Sequence, residues 1–238
     1  MNKVYLIGAG PGDPTLITIK GMNALEKSDV ILYDSLVSTT LLKKLPKNIK
    51  KINVGKIKGK DTDVMQENIH ELIKKYYNEG KNVSRLKGGD PFLFGRGGEE
   101  IEFMKKENIK YEVIPGITSA IGVPTNVGLP LTHRDVSSSV MIVSAHLKDN
   151  YEPDWKSMAT FNGTLVILMG VSKIGDIKKH LIYNGMNDET PFCIIQNGTT
   201  KKQKIVNGKI KSMVDIAKKN DIKAPAVIVI GKVVNFIV

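Results

Sequence analysis

Strand-length apolar segments alternate with helix-length amphipathic segments through the first half of the chain. The apolar segments are "KVYLIG", "DVILYD", "KNVSRL" and "KYEVIP". Helical periodicity follows them near Leu16–Lys27, Met65–Glu79 and Glu99–Lys106, and again from about Thr118. This alternation predicts an α/β fold with a largely parallel sheet, whose loops gather at the carboxyl ends of the strands.

The pattern changes after "GLPLTHRD". Further strand-like segments alternate with helices near Lys173–Tyr183 and Ser212–Asn220. The pair Asn207-Gly208 stands between "KIV" and "KI", where it predicts a hairpin turn and therefore antiparallel strands. We predict two α/β domains, residues 1–135 and 136–238, with the active-site cleft between them.

Composition narrows the class of protein. The 238 residues, 41% apolar and 25% charged, are ordinary for a globular chain with a well-buried core. No apolar segment is long enough to span a membrane and no leader peptide is visible, so we expect a cytoplasmic protein without a membrane partner. Cys193 is alone, and the four histidines lack metal-ligand spacing, so neither a disulfide within the chain nor a metal site is expected.

The net charge of +11 raises the possibility of a nucleic-acid partner, but the lysines are spread along the whole chain, so none is expected. The arginines are Arg85, Arg96 and Arg134, all beside turns rich in glycine and proline. Since the guanidinium binds carboxylates through two bonds at once, this placement indicates a site for an acidic small ligand. The alternative interpretation is that they are ordinary surface arginines.

The first glycine turn, "GAGPGD", resembles a dinucleotide-binding turn in its first two glycines only. Asp13 stands where the third glycine would be, and its charge would repel a pyrophosphate. Three more loops follow strand ends: "YDSLVS", which contains Asp34, then "KGGDPFLFGRGGEE" and "PGITSA". The position of Asp34 is compatible with a contact to a ribose hydroxyl or with proton transfer. Taken alone, Lys56 is interpreted as one of several solvated lysines.

Long segments of the chain resemble one known family in order. They include "LIGAGPGDPTLITIKG", "DVILYDSLVS", "NVGK", "RLKGGDPFLFGRGGEE", "VIPGITSA", "GLPLTHRD", "QNGT" and "PAVIVIGKVV". They closely resemble the uroporphyrinogen-III C-methyltransferases, which belong to the tetrapyrrole methylase family. The resemblance implies two α/β domains that bind S-adenosylmethionine and release S-adenosylhomocysteine.

The resemblance also assigns site residues. It implies that Asp34 is the proton acceptor and Lys56 the proton donor. The positions that it assigns to methyl-donor binding are Pro11, Gly88, Gly89, Asp90, Leu93, Thr118, Ser119, Met169, Gly198 and Ala226. The chain departs from the family at Ser144-Ala145-His146, where Thr-Gly-His is usual, and at Ser119, where some members have alanine.

By the same resemblance, the substrate is uroporphyrinogen III, methylated at C-2 and C-7 to precorrin-2 for sirohaem or cobalamin synthesis, by a homodimer. Arg85, Arg96 and Arg134 are then expected to bind its carboxylates. The alternatives are a related methylase acting on a later corrin intermediate, a diphthamide precursor or ribosomal RNA, and a non-enzymatic nucleotide-binding module. No domain in addition to these two is expected, unlike in bifunctional sirohaem synthase.

Overall fold

The computed structural model describes residues 2–55, 62–146 and 153–237. The chain forms two compact units, Met1–Thr118 and Ser119–Val238. Each has its own five-stranded sheet, so the predicted α/β class is confirmed. None of the helices in the described ranges combines the length and the apolar character that crossing a membrane requires.

The first unit alternates strands and helices along the chain. Its elements are β1 (Val4–Gly8), α1 (Ile19–Glu26), β2 (Val30–Tyr33), α2 (Thr39–Lys44), β3 (Lys50–Asn53), α3 (Thr62–Asn78), β4 (Val83–Lys87), α4 (Gly97–Lys106) and β5 (Tyr111–Ile114). The strands are ordered β3-β2-β4-β1-β5, and every pairing is parallel. The predicted parallel sheet is therefore confirmed for this unit.

Both faces of this sheet are covered, which explains why β1 and β2 are apolar throughout. On one face Ile7, Ile31 and Leu86 pack against side chains of α1 and α2. On the other face Val30 and Leu32 pack with residues of α3 and α4. With both faces occupied by helices, the loops at the carboxyl ends of the strands are left as the place for a ligand.

The second unit has a mixed sheet. Its elements are α5 (Ser119–Asn126), β6 (Val140–Ser144), α6 (Trp155–Thr160), β7 (Thr164–Leu168), α7 (Ile174–Tyr183), β8 (Pro191–Gln196), β9 (Lys204–Lys209), α8 (Met213–Lys219) and β10 (Ala226–Ile230). The strand order is β6-β7-β10-β8-β9; β6 and β7 are parallel, and the remaining pairs are antiparallel. The core centres on the fully buried Phe192, Ile177 and Leu181.

The predicted hairpin turn at Asn207-Gly208 is wrong, although the antiparallel strands that it implied are present. Both residues lie inside β9, where Asn207 pairs with Cys193 and Gly208 with Phe192. The turn that joins β8 to β9 is the segment 197–203. Gly208 is needed for packing, because a Cβ there would lie 2.6 Å from Cδ1 of Ile216 on α8.

The division between the units lies earlier in the chain than the predicted boundary at residues 135 and 136. The difference arises from α5, which the sequence pattern assigned to the first domain. This helix packs against β7 and β10 of the second unit. One of its contacts is with Gly198, where any Cβ would overlap the side chain of Val123.

Three glycine backbones meet at the carboxyl edge of the first sheet. A Cβ on Gly8 would lie 2.5 Å from the amide nitrogen of Gly116 and 2.6 Å from the carbonyl oxygen of Gly89. Real Cβ atoms do not approach backbone this closely, so at least one of the three loops would have to move. The absence of side chains at these positions therefore sets the spacing of the loops after β1, β4 and β5.

We predict opposite effects for two glycine-to-alanine changes in this unit. Gly8→Ala should lower the free energy of unfolding by roughly 1–3 kcal/mol, as overpacking does. Gly98→Ala is the matched control, because no atom lies within 4 Å of its Cβ position in α4. Alanine in a helix should stabilise it by about 0.5–1 kcal/mol. Urea unfolding of both variants measures the difference, and equal stability would contradict the packing argument.

Candidate functional site

The loops after β1 and β4 are joined by backbone hydrogen bonds beyond the ends of the strands. Gly10 N–H donates to the Gly89 carbonyl at 3.2 Å, and Gly89 N–H donates to the Gly10 carbonyl at 2.8 Å. Ala9 N–H donates to the Lys87 carbonyl at 2.7 Å. The φ of Gly89 is +68°, a left-handed conformation that favours glycine. The first glycine turn and the Gly88-Gly89-Asp90 turn therefore form one bonded structure.

Asp34 connects the loop after β2 to the same turn. Its Oδ1 accepts from Leu36 N–H at 3.1 Å, and its Oδ2 accepts from Gly88 N–H at 3.1 Å. The residue is half-buried. Both carboxylate oxygens are thus oriented by backbone amides at the mouth of the sheet, which is a fixed position for a group that accepts a proton.

Asp90 links the turn to the loop after β5. Its Oδ2 accepts from Gly116 N–H at 3.1 Å, and its Oδ1 accepts from Phe92 N–H at 2.8 Å. The three predicted residues Gly88, Gly89 and Asp90 therefore hold the surrounding loops together. The amides of Gly88 and Gly89 are both bonded within the unit, so a ligand would meet other atoms of this turn.

The first glycine turn does not lead directly into a helix. Asp13 instead caps the short 3-10 turn Pro14–Leu16, where its Oδ1 accepts from Thr15 N–H at 2.8 Å. The helix α1 begins later, at Ile19, and is capped by Thr18. A dinucleotide fold instead presents a helix N-terminus to the pyrophosphate immediately after the glycines. The local structure therefore agrees with the sequence argument against a dinucleotide.

Strained backbone is concentrated in the loops that the sequence singled out. In the first unit Phe94 and Arg96 have positive φ, of 55° and 58°. In the second unit Met169, at φ 56°, follows β7, and Asn197 and Thr199 lie on either side of Gly198. Non-glycine residues rarely adopt this conformation, and such strain is typical of functional loops.

Three of the residues of the second unit that were predicted to bind the donor lie at strand ends, whereas Ser119 begins α5. Met169 follows the end of β7 and is 47% exposed, unusual for so apolar a side chain. Gly198 is buried just past the end of β8, and Ala226 begins the antiparallel β10. The three strand-end positions belong to the same edge of the second sheet, because β10 runs opposite to β7 and β8.

The three arginines have different environments. Arg134 is exposed and forms no ion pair within the described parts of the chain. Arg96 precedes α4 and binds Glu99 through Nε, at 3.0 and 2.9 Å from the two carboxylate oxygens, and Asp63 through Nη2 at 3.1 Å. Both of these partners are at least half exposed, so the pairs are weak.

Arg85 differs from the other two arginines and corrects the prediction that grouped them. Its side chain is 5% exposed, and Nε donates to Glu100 Oε1 at 3.0 Å. Its Nη1 donates to the Leu86 carbonyl at 3.2 Å. A guanidinium that is buried and bonded in this way joins β4 to α4 and is not accessible to a substrate carboxylate. We therefore do not propose Arg85 as a substrate ligand.

Two charged residues beside Arg85 were missed by the sequence reasoning. Lys87 is 3% exposed and Glu100 is fully buried, and together with Arg85 they form what we call the buried ion cluster. The sequence did contain a signal for this cluster. Arg85 and Lys87 are two residues apart and therefore lie on the same face of β4, whose five residues are all buried. Lys56, the predicted proton donor, lies outside the described residues.

Comparison with known proteins agrees with this geometry. Residues 3–214 match the family described as Tetrapyrrole (Corrin/Porphyrin) Methylases. The chain is 49% identical over 235 residues to a uroporphyrinogen-III C-methyltransferase of Methanocaldococcus jannaschii, covering 98% of this chain and 97% of that protein. It is 45% identical over 234 residues to a sirohaem synthase of Nitrosomonas europaea, but covers only 49% of that longer protein.

A solved structure gives the same result for the fold. The crystal structure of uroporphyrin-III C-methyl transferase from Thermus thermophilus, complexed with S-adenyl homocysteine, superposes with a TM-score of 0.85 at 37% identity, covering 98% of this chain and 99% of that one. The family match, the near full-length identity and the superposition all lead to one assignment. The chain belongs to the tetrapyrrole methylases.

Proposed function

We propose that this protein transfers methyl groups from S-adenosylmethionine to uroporphyrinogen III, at C-2 and then C-7, giving precorrin-2. The observation that carries the proposal is the 49% identity over nearly the whole chain to a uroporphyrinogen-III C-methyltransferase. The chain spans about half the length of the sirohaem synthases that it matches, so the activity is proposed for the methyl-transfer reaction alone. The product would serve sirohaem synthesis, cobalamin synthesis or both.

The loop chemistry is compatible with the methyl donor. S-adenosylmethionine supplies an electrophilic sulfonium methyl group when bound, so the protein has to align and shield the reactants. Exposed Met169, half-buried Leu93 and the glycine turn at Gly88 and Gly89 offer apolar surface and close backbone approach. We propose these positions for donor binding together with Pro11, Asp90, Thr118, Ser119, Gly198 and Ala226.

Asp34 is proposed as the residue that accepts a proton after methylation. Methylation of a pyrrole carbon places one positive charge on the ring system, and loss of a proton removes that charge. A carboxylate held by two backbone amides at the sheet edge is a suitable acceptor, because its orientation does not depend on a flexible partner. Lys56 remains proposed as the proton donor on the resemblance alone.

Arg96 and Arg134 are proposed to bind carboxylates of the substrate, which carries eight of them. At Arg96 a substrate carboxylate would exchange for Glu99 or Asp63, whose exposed pairs with the arginine cost little to break. Arg134 needs no exchange with a described partner. A cytoplasmic location is also part of the proposal, as expected for a chain of this composition.

The direct test is turnover of uroporphyrinogen III with S-adenosylmethionine, followed by mass spectrometry of the product. Two added methyl groups and the absorption spectrum of precorrin-2 or its oxidised form are expected. Binding of S-adenosylhomocysteine without turnover would favour the alternative, a methylase of a later corrin intermediate. Binding of NAD in place of S-adenosylhomocysteine would contradict the proposal.

Asp34→Asn and Gly89→Ala should separate chemistry from donor binding. Asp34→Asn keeps one acceptor oxygen for the neighbouring amides but removes the proton acceptor, so turnover should fall by about 10²–10⁴-fold. Gly89→Ala forces a side chain into a left-handed residue at φ +68° and should weaken donor binding first. Titration calorimetry with S-adenosylhomocysteine measures both. Lost donor binding in Asp34→Asn with normal binding in Gly89→Ala would reverse the two assignments.

Replacing the arginines by lysine should distinguish substrate binding from support of the fold. Arg96→Lys or Arg134→Lys keeps the charge but loses the planar pair of N–H donors that binds a carboxylate through two bonds. At least one of these variants should lose about 1.5–3 kcal/mol of binding free energy for uroporphyrinogen III, with its affinity for S-adenosylhomocysteine unchanged. Arg85→Lys is the buried comparison and should lower stability. Unchanged substrate kinetics in both Arg96→Lys and Arg134→Lys would refute the proposal that these arginines bind substrate carboxylates.

A homodimer is proposed from the family resemblance. Sedimentation at micromolar concentration should give about twice the 26.2 kDa chain mass. A mass that stays at one chain over the concentration range used for turnover would show that a monomer is the active form.

A further inference from the structure

The end of β4 carries two buried cations that share one acceptor. Glu100 Oε1 accepts from Arg85 Nε at 3.0 Å, from Lys87 Nζ at 2.9 Å and from Gln66 Nε2 at 3.3 Å. The side chains of Arg85, Lys87 and Glu100 are 5%, 4% and 0% exposed. With one carboxylate for two cations, the buried ion cluster carries an excess positive charge.

The strand register places Lys87 beside Asp34. Tyr33 of β2 is paired with Leu86 of β4, and Asp34 N–H continues the ladder by donating to the Leu86 carbonyl at 3.3 Å. Asp34 and Lys87 are the next residues on their strands. Paired residues of parallel neighbours direct their side chains to the same face, so the carboxylate and the ammonium belong to one face of the sheet.

Lys87 is also next in the chain to the amide that holds Asp34. The N–H of Gly88 donates to Asp34 Oδ2 at 3.1 Å, so a shift at the end of β4 moves this donor directly. Gly89 and Asp90 have their own anchors, through Gly10 and Gly116. A change at Lys87 should therefore affect the orientation of Asp34 more than the rest of the turn.

Keeping this lysine charged is unfavourable for the fold. Burial lowers the pKa of the Lys87 ammonium, and neighbouring Arg85 lowers it further, while Glu100 and Asp34 offset part of the effect. Within the described part of the chain, Nζ has one hydrogen-bond acceptor, Glu100 Oε1. A buried ion pair often contributes little net stability, because the desolvation penalty of its charges offsets their attraction, so the contribution of Lys87 to folding does not by itself explain its presence.

We propose that Lys87 is a positioning residue for methyl transfer: anchored by Glu100, it fixes the strand end from which Gly88 N–H orients the Asp34 carboxylate. Lys87 does not itself contact the reactants, and its effect on turnover rests on the proposed function of Asp34. The site thus reaches from the loop surface to the buried ion cluster through the hydrogen bond between Gly88 N–H and Asp34 Oδ2.

Lys87→Met is the direct test. It leaves Glu100 Oε1 bonded to Arg85 and Gln66 but removes one of its three donors, so the protein should stay folded with a thermal unfolding midpoint equal to or somewhat below that of the wild type. Turnover should fall on the order of 10²-fold through misplacement of Asp34, with KM and S-adenosylhomocysteine affinity within about threefold. Lys74→Met is the matched control, because Lys74 joins α3 to Glu107 in a partly exposed pair at 2.7 Å, away from β4. Turnover of Lys87→Met equal to that of Lys74→Met would overturn the proposal.

A double-mutant cycle tests whether Lys87 acts through Asp34. In the Asp34→Asn background, Lys87→Met should cause almost no further loss of turnover, because the group that it positions is already absent. Independent losses that multiply in the double variant would refute the positioning role. Lys87→Gln keeps a donor for Glu100 without the charge, so its turnover should lie between those of the wild type and Lys87→Met. If Lys87→Met does not give folded protein, Lys87→Leu replaces it with the same expectations.

Amide hydrogen exchange of the full chain without ligand gives a readout that does not depend on activity. Exchange at Gly88 should be faster in Lys87→Met than in Lys74→Met, with Gly89 unchanged. Faster exchange in a protein that does not methylate uroporphyrinogen III would refute the proposed function and leave the positioning contact intact. Unchanged exchange in an active protein would refute the positioning contact and leave the function intact.

Discussion

Two hydrogen bonds between Gly10 and Gly89 extend the first sheet beyond the ends of β1 and β4, and every loop of the candidate site in this unit depends on them. Both glycines have positive φ, of 80° and 68°, and a Cβ on Gly8 or Gly116 would lie within 2.6 Å of backbone atoms of the neighbouring loops. Asp34 and Asp90 then attach the loops after β2 and β5 to this pair through backbone amides. The glycines thus allow the loops to approach one another, and the carboxylates of Asp34 and Asp90 hold the loops in place through hydrogen bonds.

Hydrophobic periodicity was sufficient to predict the α/β class and the parallel first sheet, because β1 and β2, which are covered on both faces, are apolar along their whole length. It failed at Asn207-Gly208, where a typical turn pair lies inside a strand. There the glycine provides room for Ile216 of α8, a contact from a helix later in the chain. Local turn preference does not include a tertiary contact of this kind.

The loops of the site could be found from the sequence, but the roles of their charged residues only in part. Arg85 and Arg96 lie in the same motif and look alike in the sequence, yet one is buried against Glu100 and the other is half-buried beside Glu99. Arg85 lies on β4, where its side chain and that of Lys87 reach Glu100 of α4, whereas Arg96 lies in the loop beyond the strand. The family resemblance supplied Asp34, whose neighbours on the sheet only the register of β2 and β4 identifies.

The loops of the site use left-handed backbone in two ways. At Gly89 the residue has no side chain, so that the backbone itself can come close to another backbone or to a ligand. At Phe94 in the first unit and Met169 in the second, a left-handed residue keeps its apolar side chain, which is 44% and 47% exposed. Strain of this kind costs stability and persists only where the surrounding structure enforces it. It therefore presents an apolar side chain at a fixed position, whereas the glycine turns present the edge of the peptide backbone.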